Sequence, residues 1–218
     1  ENKKFKALVT AGPTREYIDP VRFITNRSSG KQGYAIANAL QNNGFETTLI
    51  SGPTNLKSPD GVKTIKVNTA EEMYEKSIIN LPVDIAIFSA AVADFKVKQS
   101  NLNKIKKETF EKLELEKTKD ILNYISKHNK LRPKLVIGFA AETNNIEQNS
   151  IKKLNEKNCD WIIANDVSNE KIGFDSDFNE VKIFKRNVSK AENILLDTKE
   201  VIAQKLVEKI SDELKANA

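Results

Sequence analysis

The sequence has one cysteine, Cys159, and one histidine, His128. These counts exclude an intramolecular disulfide, a zinc site built from Cys and His, and any mechanism that needs two histidines. No apolar run approaches the roughly eighteen residues of a membrane span, and the charged start ENKKFK precedes only a short apolar stretch, unlike a secretory signal. We therefore expect a cytoplasmic protein without a membrane partner.

The sequence also lacks a large excess of charge of one sign. Its 35 basic and 30 acidic residues give a formal net charge of +5, and most of them are interspersed as on an ordinary solvated surface. Nucleic acid is therefore not an expected partner. The length of 218 residues, 39% of them hydrophobic, suffices for the core of one domain spanning 1–218. The chain begins with Glu1 rather than Met, which favours excision from a longer protein.

Short apolar runs alternate with segments of helical periodicity. The helices are predicted at 33–44, 70–81, 146–157 and 198–215, and the strands at 5–12, 45–51, 62–67, 84–90, 134–142 and 160–166. This alternation predicts an α/β fold with a Rossmann-like, doubly wound, mostly parallel sheet. Two segments interrupt it: 96–117 is predicted to be a protruding β-arm, and 180–197 an antiparallel edge hairpin.

Ligands of an open parallel sheet bind beyond the carboxyl ends of its strands. The loops expected at that edge are polar and cover 10–33, 51–61, 89–95, 139–145 and 164–177. The first is predicted to be a structureless connection of some twenty residues, which is uncommon in a compact domain unless it is functional. The sequence therefore predicts a ligand site there.

A Ser-Ser-Gly-x-x-Gly turn, with Ser28, Ser29, Gly30 and Gly33, directly precedes the first predicted helix. Gly30 could supply a positive φ while backbone N–H groups face outward at the positive end of the helix dipole, which would make an anion cradle. The alternative is a tight helix entry. Neither a Walker motif nor a GxGxxG dinucleotide motif is present.

Arg22 and Asn26 lie in the same loop. A guanidinium suits a carboxylate or phosphate, and an amide can both donate to and accept from a reacting acyl group. The alternative for Arg22 is a structural ion pair with Asp19, which would only hold the loop together.

The remaining loops and the arm add candidates that each have a structural alternative. Asp94 could accept from a ligand amine or hydroxyl, or hold a metal; it could equally cap a turn. Lys104 could face a polyphosphate or lie on the surface, and Phe139 could stack on a base or belong to the core. Lys153 and Lys157, on one helix face, could bind phosphates or be exposed. Together these groups favour nucleotide-dependent activation of a carboxylate.

Five ordered blocks carry a family resemblance: VTAGPTREYIDPVRFITNRSSGKQGYAIA, AAVADF, KIKK, VIGFAAETNN and ANDVS. In this order they resemble the phosphopantothenoylcysteine synthetase family over essentially the whole chain. The resemblance implies coenzyme A biosynthesis, with 4'-phosphopantothenate, L-cysteine and CTP as substrates and Mg²⁺ as cofactor. The family's carboxylate substrate attacks the α-phosphate to give an acyl-cytidylate and pyrophosphate, and the cysteine amine then displaces CMP.

The resemblance also implies roles for individual residues. Asn26 and Arg22 would hold the acyl intermediate, and Lys104 would promote acyl-cytidylate formation. The nucleotide contacts would be Ser89, Ala90, Ala91, Asp94, Lys104, Lys119, Asp120, Ile121, Leu122, Phe139, Lys153 and Lys157. The substrate contacts would be Gly12, Asn26, Ser28, Ser29, Gly30, Gly33 and Ala91. The resemblance assigns no metal ligands.

The family is dimeric, and an extended arm of each subunit contributes to its partner's site. We therefore expect a homodimer whose arm, 96–117, carries Lys104. In most bacteria the family's domain is fused behind a flavin-dependent decarboxylase, which this sequence does not contain, so the chain is expected to be either a stand-alone synthetase or an excised domain. The common Asn-Pro-Asp step reads Thr118-Lys119-Asp120 here, which weakens the expected nucleotide contact.

The sequence allows two other functions to be compared with this one, an oxidoreductase and a nucleotide-binding module. An NAD(P)-dependent oxidoreductase on a Rossmann-like scaffold would need a glycine fingerprint after the first strand and a proton donor such as Tyr-x-x-x-Lys, and neither is visible. A non-catalytic nucleotide-binding module is compatible with the fold alone. It would not require Asn26, Arg22 and Lys104 to converge.

Overall fold

A computed structural model describes residues 4–168 and 175–217. In these residues the chain forms twelve β-strands, five α-helices and one short 3₁₀ helix (Lys107–Thr109). The strands are β1 (Lys6–Ala11), β2 (Arg15–Tyr17), β3 (Phe23–Thr25), β4 (Glu46–Ser51), β5 (Lys63–Lys66), β6 (Ile85–Phe88), β7 (Phe95–Val97), β8 (Leu115–Lys117), β9 (Leu135–Glu142), β10 (Trp161–Asp166), β11 (Phe178–Lys185) and β12 (Glu192–Thr198). The helices are α1 (Lys31–Asn42), α2 (Ala70–Ile79), α3 (Ile121–Ser126), α4 (Ile146–Glu156) and α5 (Lys199–Ala216).

Eight strands form one sheet in the order β12-β11-β10-β9-β6-β1-β4-β5. The six strands from β10 to β5 are parallel, whereas β11 and β12 pair antiparallel at one edge. The chain proceeds outward from β1 through β4 in one direction and through β6 in the other, so the topology switches between β1 and β6. The predicted α/β fold and its edge hairpin are confirmed.

Helices cover both faces of this sheet. Neighbouring side chains of β1 point to opposite faces, so Val9 belongs to one core cluster and Leu8 to the other. The Val9 cluster includes α1 and α5, and the Leu8 cluster includes α2, α3 and α4. The predicted apolar stripe of α5 is buried at all four positions, Ile202, Leu206, Ile210 and Leu214. The doubly wound arrangement is therefore confirmed.

The prediction of a structureless 10–33 connection is wrong, because β2 and β3 pair there as a small antiparallel hairpin. At its turn, the Asp19 carboxylate accepts the backbone N–H groups of Val21 and Arg22. The hairpin is held from outside as well, since the Glu16 carboxylate accepts the backbone N–H of Ala70. Strands of three residues give too little alternation to be recognised in a sequence.

The predicted arm at 96–117 has paired strands at its base. There β7 and β8 form a separate two-stranded sheet, with Phe95 opposite Lys117. Whether 1–218 makes a single domain stays a prediction, and residues 1–3, 169–174 and 218 lie outside the described residues. None of the helices in the described ranges combines the length and apolar composition that crossing a bilayer needs.

Candidate functional site

A cavity of about 980 Å³ lies beyond the carboxyl ends of β1, β6, β9 and β10. It spans the point at which the strand order reverses, where open α/β sheets bind their ligands. Its volume is at the upper end of the range of small-molecule sites, about 300–1,000 Å³. The cavity is therefore large enough for a nucleotide and part of a second substrate.

Almost every residue singled out from the sequence lies in the wall of this one cavity. The residues brought together are Gly12, Asn26, Ser28, Ser29, Gly30, Gly33, Ser89, Ala90, Ala91, Asp94, Lys119, Asp120, Ile121, Leu122, Phe139, Lys153 and Lys157. Arg22 and Lys104 are not in the wall. Of the predicted ligand loop 164–177, residues 169–174 lie outside the described part of the chain.

Arg22 joins the β2–β3 hairpin to the arm. Its guanidinium donates to the Asp19 carboxylate at 2.5 Å and to the Ile105 carbonyl oxygen at 2.9 Å, and it lies over the Phe110 ring at 4.1 Å. The neighbouring guanidinium holds the pKa of Asp19 well below its usual range. The structural ion pair considered for Arg22 is present, and its catalytic role stays a prediction. Lys104 is exposed on the arm beside Ile105.

We expect Asp19→Asn to loosen the arm. The buried Asp19 carboxylate also accepts the backbone N–H of Ile105, so the variant leaves a neutral amide against Arg22 and weakens both links. Amide hydrogen exchange across 98–114 should accelerate several-fold at pH 7. Because folding lowers the pKa of Asp19, its contribution is complete above the unfolded pKa of about 4 and is lost as pH falls through the folded pKa.

Asp60→Asn is the matched control for this change, because Asp60 is exposed and its ion pair with Lys57 is also exposed. Unchanged exchange across 98–114 in the Asp19 variant would contradict the assigned anchoring.

The turn before α1 has the positive φ predicted for Gly30, and its role as an anion cradle stays a prediction. Gly30 has φ of +77° and is the N-cap of α1, which has no side-chain cap and no acidic residue in its first turn. Gly33 allows close packing, since a Cβ at this position would lie 2.5 Å from the Ala11 Cβ. The two glycines therefore have different structural reasons, one conformational and one steric.

Asn26 is held by one hydrogen bond. Its amide Nδ2 donates to the Val92 carbonyl oxygen at 3.0 Å. Within the described residues its Oδ1 has no donor. Next to it, Ser89–Ala91 is tied to the end of β1, since Ser89 and Ala91 donate backbone N–H groups to Thr10 and Gly12. Small side chains here leave the backbone open to the cavity.

The other side of the cavity carries Lys153 of α4 and Lys157, which caps the C-terminus of that helix. Lys153 Nζ donates to the Phe139 carbonyl oxygen at 2.5 Å, and burial lowers the pKa of Lys153. Lys157 pairs with the carboxylate of Asp120, which raises the pKa of Lys157. Contacts within the fold hold both ammonium groups in place. These two lysines, at i and i+4, are therefore not ordinary exposed surface residues.

The segment Thr118-Lys119-Asp120, which stands where the resembling family commonly has Asn-Pro-Asp, has a defined structure. Asp120 is the N-cap of α3, and its side chain accepts the backbone N–H of Asn123 at 2.9 Å. Lys119 Nζ pairs with the Glu71 carboxylate at 2.7 Å and lies over the Tyr74 ring at 4.5 Å. The Thr118 backbone N–H donates to the Asp94 carbonyl oxygen. The segment therefore remains attached to the cavity wall without Asn or Pro.

The one thiol of the sequence is not a nucleophile. Cys159 is fully buried, and burial raises the pKa of its thiol to about 11, so it is protonated at neutral pH.

Sequence reasoning assigned no role to several polar residues of the wall, among them Lys31, Gln32, Asn165, Asn179 and Lys199. Lys199 had a detectable signal: it is three residues before Ile202 and so continues the apolar stripe of α5.

The family model for the DNA/pantothenate metabolism flavoprotein C-terminal domain matches residues 2–214. The coenzyme A biosynthesis bifunctional protein CoaBC of Vibrio parahaemolyticus is 43% identical over 209 residues, covering 94% of this chain and 52% of that protein. The CoaBC protein of Escherichia coli strain K12 is 42% identical over 215 residues, covering 95% and 52%. The chain thus spans about half the length of these curated relatives.

A crystal structure of the C-terminal domain of a coenzyme A biosynthesis bifunctional protein CoaBC is similar throughout. It superimposes with a TM-score of 0.80 at 40% identity, covering 97% of this chain and 96% of that one. The resemblance drawn from the five sequence blocks, to the phosphopantothenoylcysteine synthetase family, is confirmed. The chain belongs to the family of the DNA/pantothenate metabolism flavoprotein C-terminal domain.

Proposed function

We propose that this chain is a phosphopantothenate–cysteine ligase of coenzyme A biosynthesis that uses CTP. The observation that carries the proposal is that the wall of one cavity contains every residue assigned from the sequence except Arg22 and Lys104. Relatives above 40% identity that are named for coenzyme A biosynthesis support it. We place the reaction in the cytoplasm, where a free Cys159 thiol is stable.

The nucleotide is assigned to the side of the cavity formed by α3 and α4. Lys153 and Lys157 supply two fixed cations for its phosphates, and Phe139 of β9 supplies an aromatic face. Asp94, which is exposed to the cavity, is suited to accept hydrogen bonds from hydroxyl or amino groups. Cations held in place before the reaction stabilise negative charge as it develops.

The reaction proceeds in two displacements. A carboxylate oxygen of phosphopantothenate attacks the α-phosphorus of CTP, the bond to the β-phosphate oxygen breaks, and pyrophosphate leaves. The cysteine nitrogen then attacks the acyl carbon, loses a proton, and displaces CMP. Asn26 lies at the cavity wall with a carboxamide that can donate to the acyl oxygen as negative charge develops there.

Mg²⁺ is proposed as the cofactor. Nowhere in the described part of the chain do three His, Cys, Asp or Glu side chains group as metal ligands. Protein sites for Mg²⁺ commonly use one or two carboxylates together with substrate phosphates, and Asp94 in the cavity wall fits that requirement. When bound, the ion would neutralise part of the triphosphate charge.

We further propose that the protein is a homodimer. Large apolar side chains of the hairpin and the arm are exposed, including Tyr17, Phe23, Phe95, Leu102 and Leu115. An apolar surface of this kind is typical of a protein–protein contact. It adjoins the arm that carries Lys104, so a partner subunit could receive this lysine. Sedimentation should give twice the chain mass of 24.5 kDa, and a monomer would contradict the proposal.

The test of the function is formation of 4'-phosphopantothenoyl-L-cysteine, followed by mass spectrometry. We expect product with CTP, phosphopantothenate, cysteine and Mg²⁺ together. CTP and ATP are compared at equal concentration, and a preference for ATP would remove the cytidylate from the proposal. Oxidation of NAD(P)H without ligation would instead identify an oxidoreductase.

A further inference from the structure

Arg132 lies outside the cavity wall, in the connection between α3 and β9. Its guanidinium donates from Nε to the Ser126 carbonyl oxygen at 2.8 Å and from Nη2 to the Asn158 carbonyl oxygen at 2.9 Å. Nη2 also donates to the Asp160 carboxylate at 3.0 Å, and both side chains of this ion pair are only 26% exposed. A planar fork of donors holds several acceptors in fixed directions, which a lysine cannot do.

The acceptors of Arg132 lie at the ends of the elements to which the nucleotide is assigned. Ser126 is the last residue of α3, and Asn158 follows the C-cap of α4. Asp160 directly precedes β10, and its carboxylate also accepts the backbone N–H of Val136 in β9 at 2.7 Å. One guanidinium therefore joins the two helices and the strand that carry the assigned nucleotide contacts.

The carboxyl ends of α3 and α4 favour a cation. The last carbonyl groups of a helix have no partner within it, and the helix dipole is negative there. Asn158 has a φ of +53°, a left-handed conformation that asparagine adopts more readily than most residues. Its carbonyl oxygen and that of Ser126 both accept from Arg132, which thus binds the ends of both helices.

Lys157 is the assigned cation that this arrangement affects most directly. The Ser126 hydroxyl donates to the Lys157 carbonyl oxygen, and Asn158 Nδ2 donates to the Ser126 carbonyl oxygen at 2.9 Å. The ammonium group of Lys157 pairs with the carboxylate of Asp120, the N-cap of α3. The backbone of Lys157 is therefore attached to one end of α3 and its ammonium group to the other.

We propose that Arg132 is a positioning residue for nucleotide binding: it holds the carboxyl end of α4 against α3 and so places the Lys157 ammonium group for the phosphates of the nucleotide. The proposal rests on the proposed function for the nucleotide and for its contact with Lys157. An anchor that only stabilised the fold would leave the affinity for CTP unchanged, or would weaken CTP and cytidine alike.

The test compares Arg132→Lys, which keeps the charge and removes the fork, with Lys134→Arg, the reverse exchange at an exposed position of the same connection. Calorimetric titrations use CTP and cytidine. We expect Arg132→Lys to weaken CTP about three- to tenfold, as for loss of one hydrogen bond, and cytidine less than about twofold. Lys134→Arg should leave both affinities within about twofold.

A double-mutant cycle shows whether Arg132 acts through Lys157. In a Lys157→Met background the ammonium group is absent, so Arg132→Lys should change CTP affinity by less than about twofold. Equal weakening of CTP in the two backgrounds would overturn the proposal, as would unchanged CTP affinity in the single variant.

Denaturant unfolding checks that each variant is folded. If Arg132→Lys does not fold, Asp160→Asn weakens the same guanidinium contact and takes its place in the titrations. If neither variant folds, Arg132 is structural and the proposal is overturned.

The position of Lys157 can also be measured without a nucleotide. Pairing with Asp120 raises the pKa of Lys157, so little of its amine is free to react with acetic anhydride at pH 8. We expect Lys157 to be acetylated about two- to fivefold faster in Arg132→Lys, as measured by mass spectrometry, and at an unchanged rate in Lys134→Arg. If the unchanged protein does not bind CTP, the proposed function fails while this rate still decides the positioning. Equal rates in all three proteins would overturn it.

Discussion

We expect Asn26→Asp to retain CTP-dependent release of pyrophosphate while reducing formation of phosphopantothenoylcysteine by about 100-fold or more. In the proposed mechanism the first displacement depends on cations around the triphosphate, and Asn26 is not one of them. The proposed second displacement places negative charge on the acyl oxygen, where loss of one donor typically costs about 10²–10³ in rate. A carboxylate cannot donate there, and its charge opposes the developing oxyanion.

The structure adds a reason why this small change should be effective. The Asn26 Nδ2 donates to the Val92 carbonyl oxygen, so a carboxylate at this position would face that oxygen with a second acceptor. The side chain would then turn away from its present position. We expect the acyl-cytidylate to accumulate and to be detectable by mass spectrometry after rapid quenching.

Asn55→Asp is the matched control for Asn26→Asp, because Asn55 is exposed and lies outside the cavity wall. It introduces the same charge and should leave both steps unchanged. Normal product formation by the Asn26 variant would remove Asn26 from its assigned role.

We expect Lys153→Met to weaken CTP binding by roughly 10- to 100-fold, the loss anticipated when a charge-assisted hydrogen bond is removed. Lys153 lies in the cavity wall with its ammonium group held on the Phe139 carbonyl oxygen. Burial lowers the pKa of Lys153, so water competes weakly for its charge and a phosphate would interact strongly. Methionine keeps the apolar stem and removes only the charge and the donor.

The control for Lys153→Met is Lys152→Met, the preceding residue of α4. Lys152 is exposed, and it forms an ion pair with the Glu156 carboxylate at 3.9 Å on the helix surface. Calorimetric titration with CTP measures both variants, and denaturant unfolding checks that each is folded. Equal CTP affinities for the two variants would contradict the placement of the nucleotide beside α4.

The fold was predictable from the sequence where apolar periodicity runs over many residues. The run DIAIFSA predicted a strand over 84–90, and β6 (Ile85–Phe88) is buried throughout. The stripe of α5 was equally clear. The β2–β3 hairpin was not, because its stability comes from contacts distant in the sequence, such as the Glu16 carboxylate with the Ala70 backbone.

The site was predictable as a set of loops, because the carboxyl ends of parallel strands meet at one edge of the sheet. The partner of each side chain was less predictable. Sequence spacing allowed Arg22 either a substrate or Asp19, and only three-dimensional geometry shows its bonds to Asp19 and Ile105. Lys199 was missed because it is more than 160 positions from the Ser-Ser-Gly turn and meets α1 only through packing of two helices.

Pyrophosphate release in the absence of cysteine is the most direct test of a ligase that works through an acyl-cytidylate. The chain is mixed with CTP, Mg²⁺ and phosphopantothenate, and pyrophosphate is measured over time. We predict release that requires CTP and phosphopantothenate together and does not require cysteine, with phosphopantothenoylcysteine appearing only when cysteine is added. Absence of release, or release only when cysteine is present, would contradict the acyl-cytidylate account.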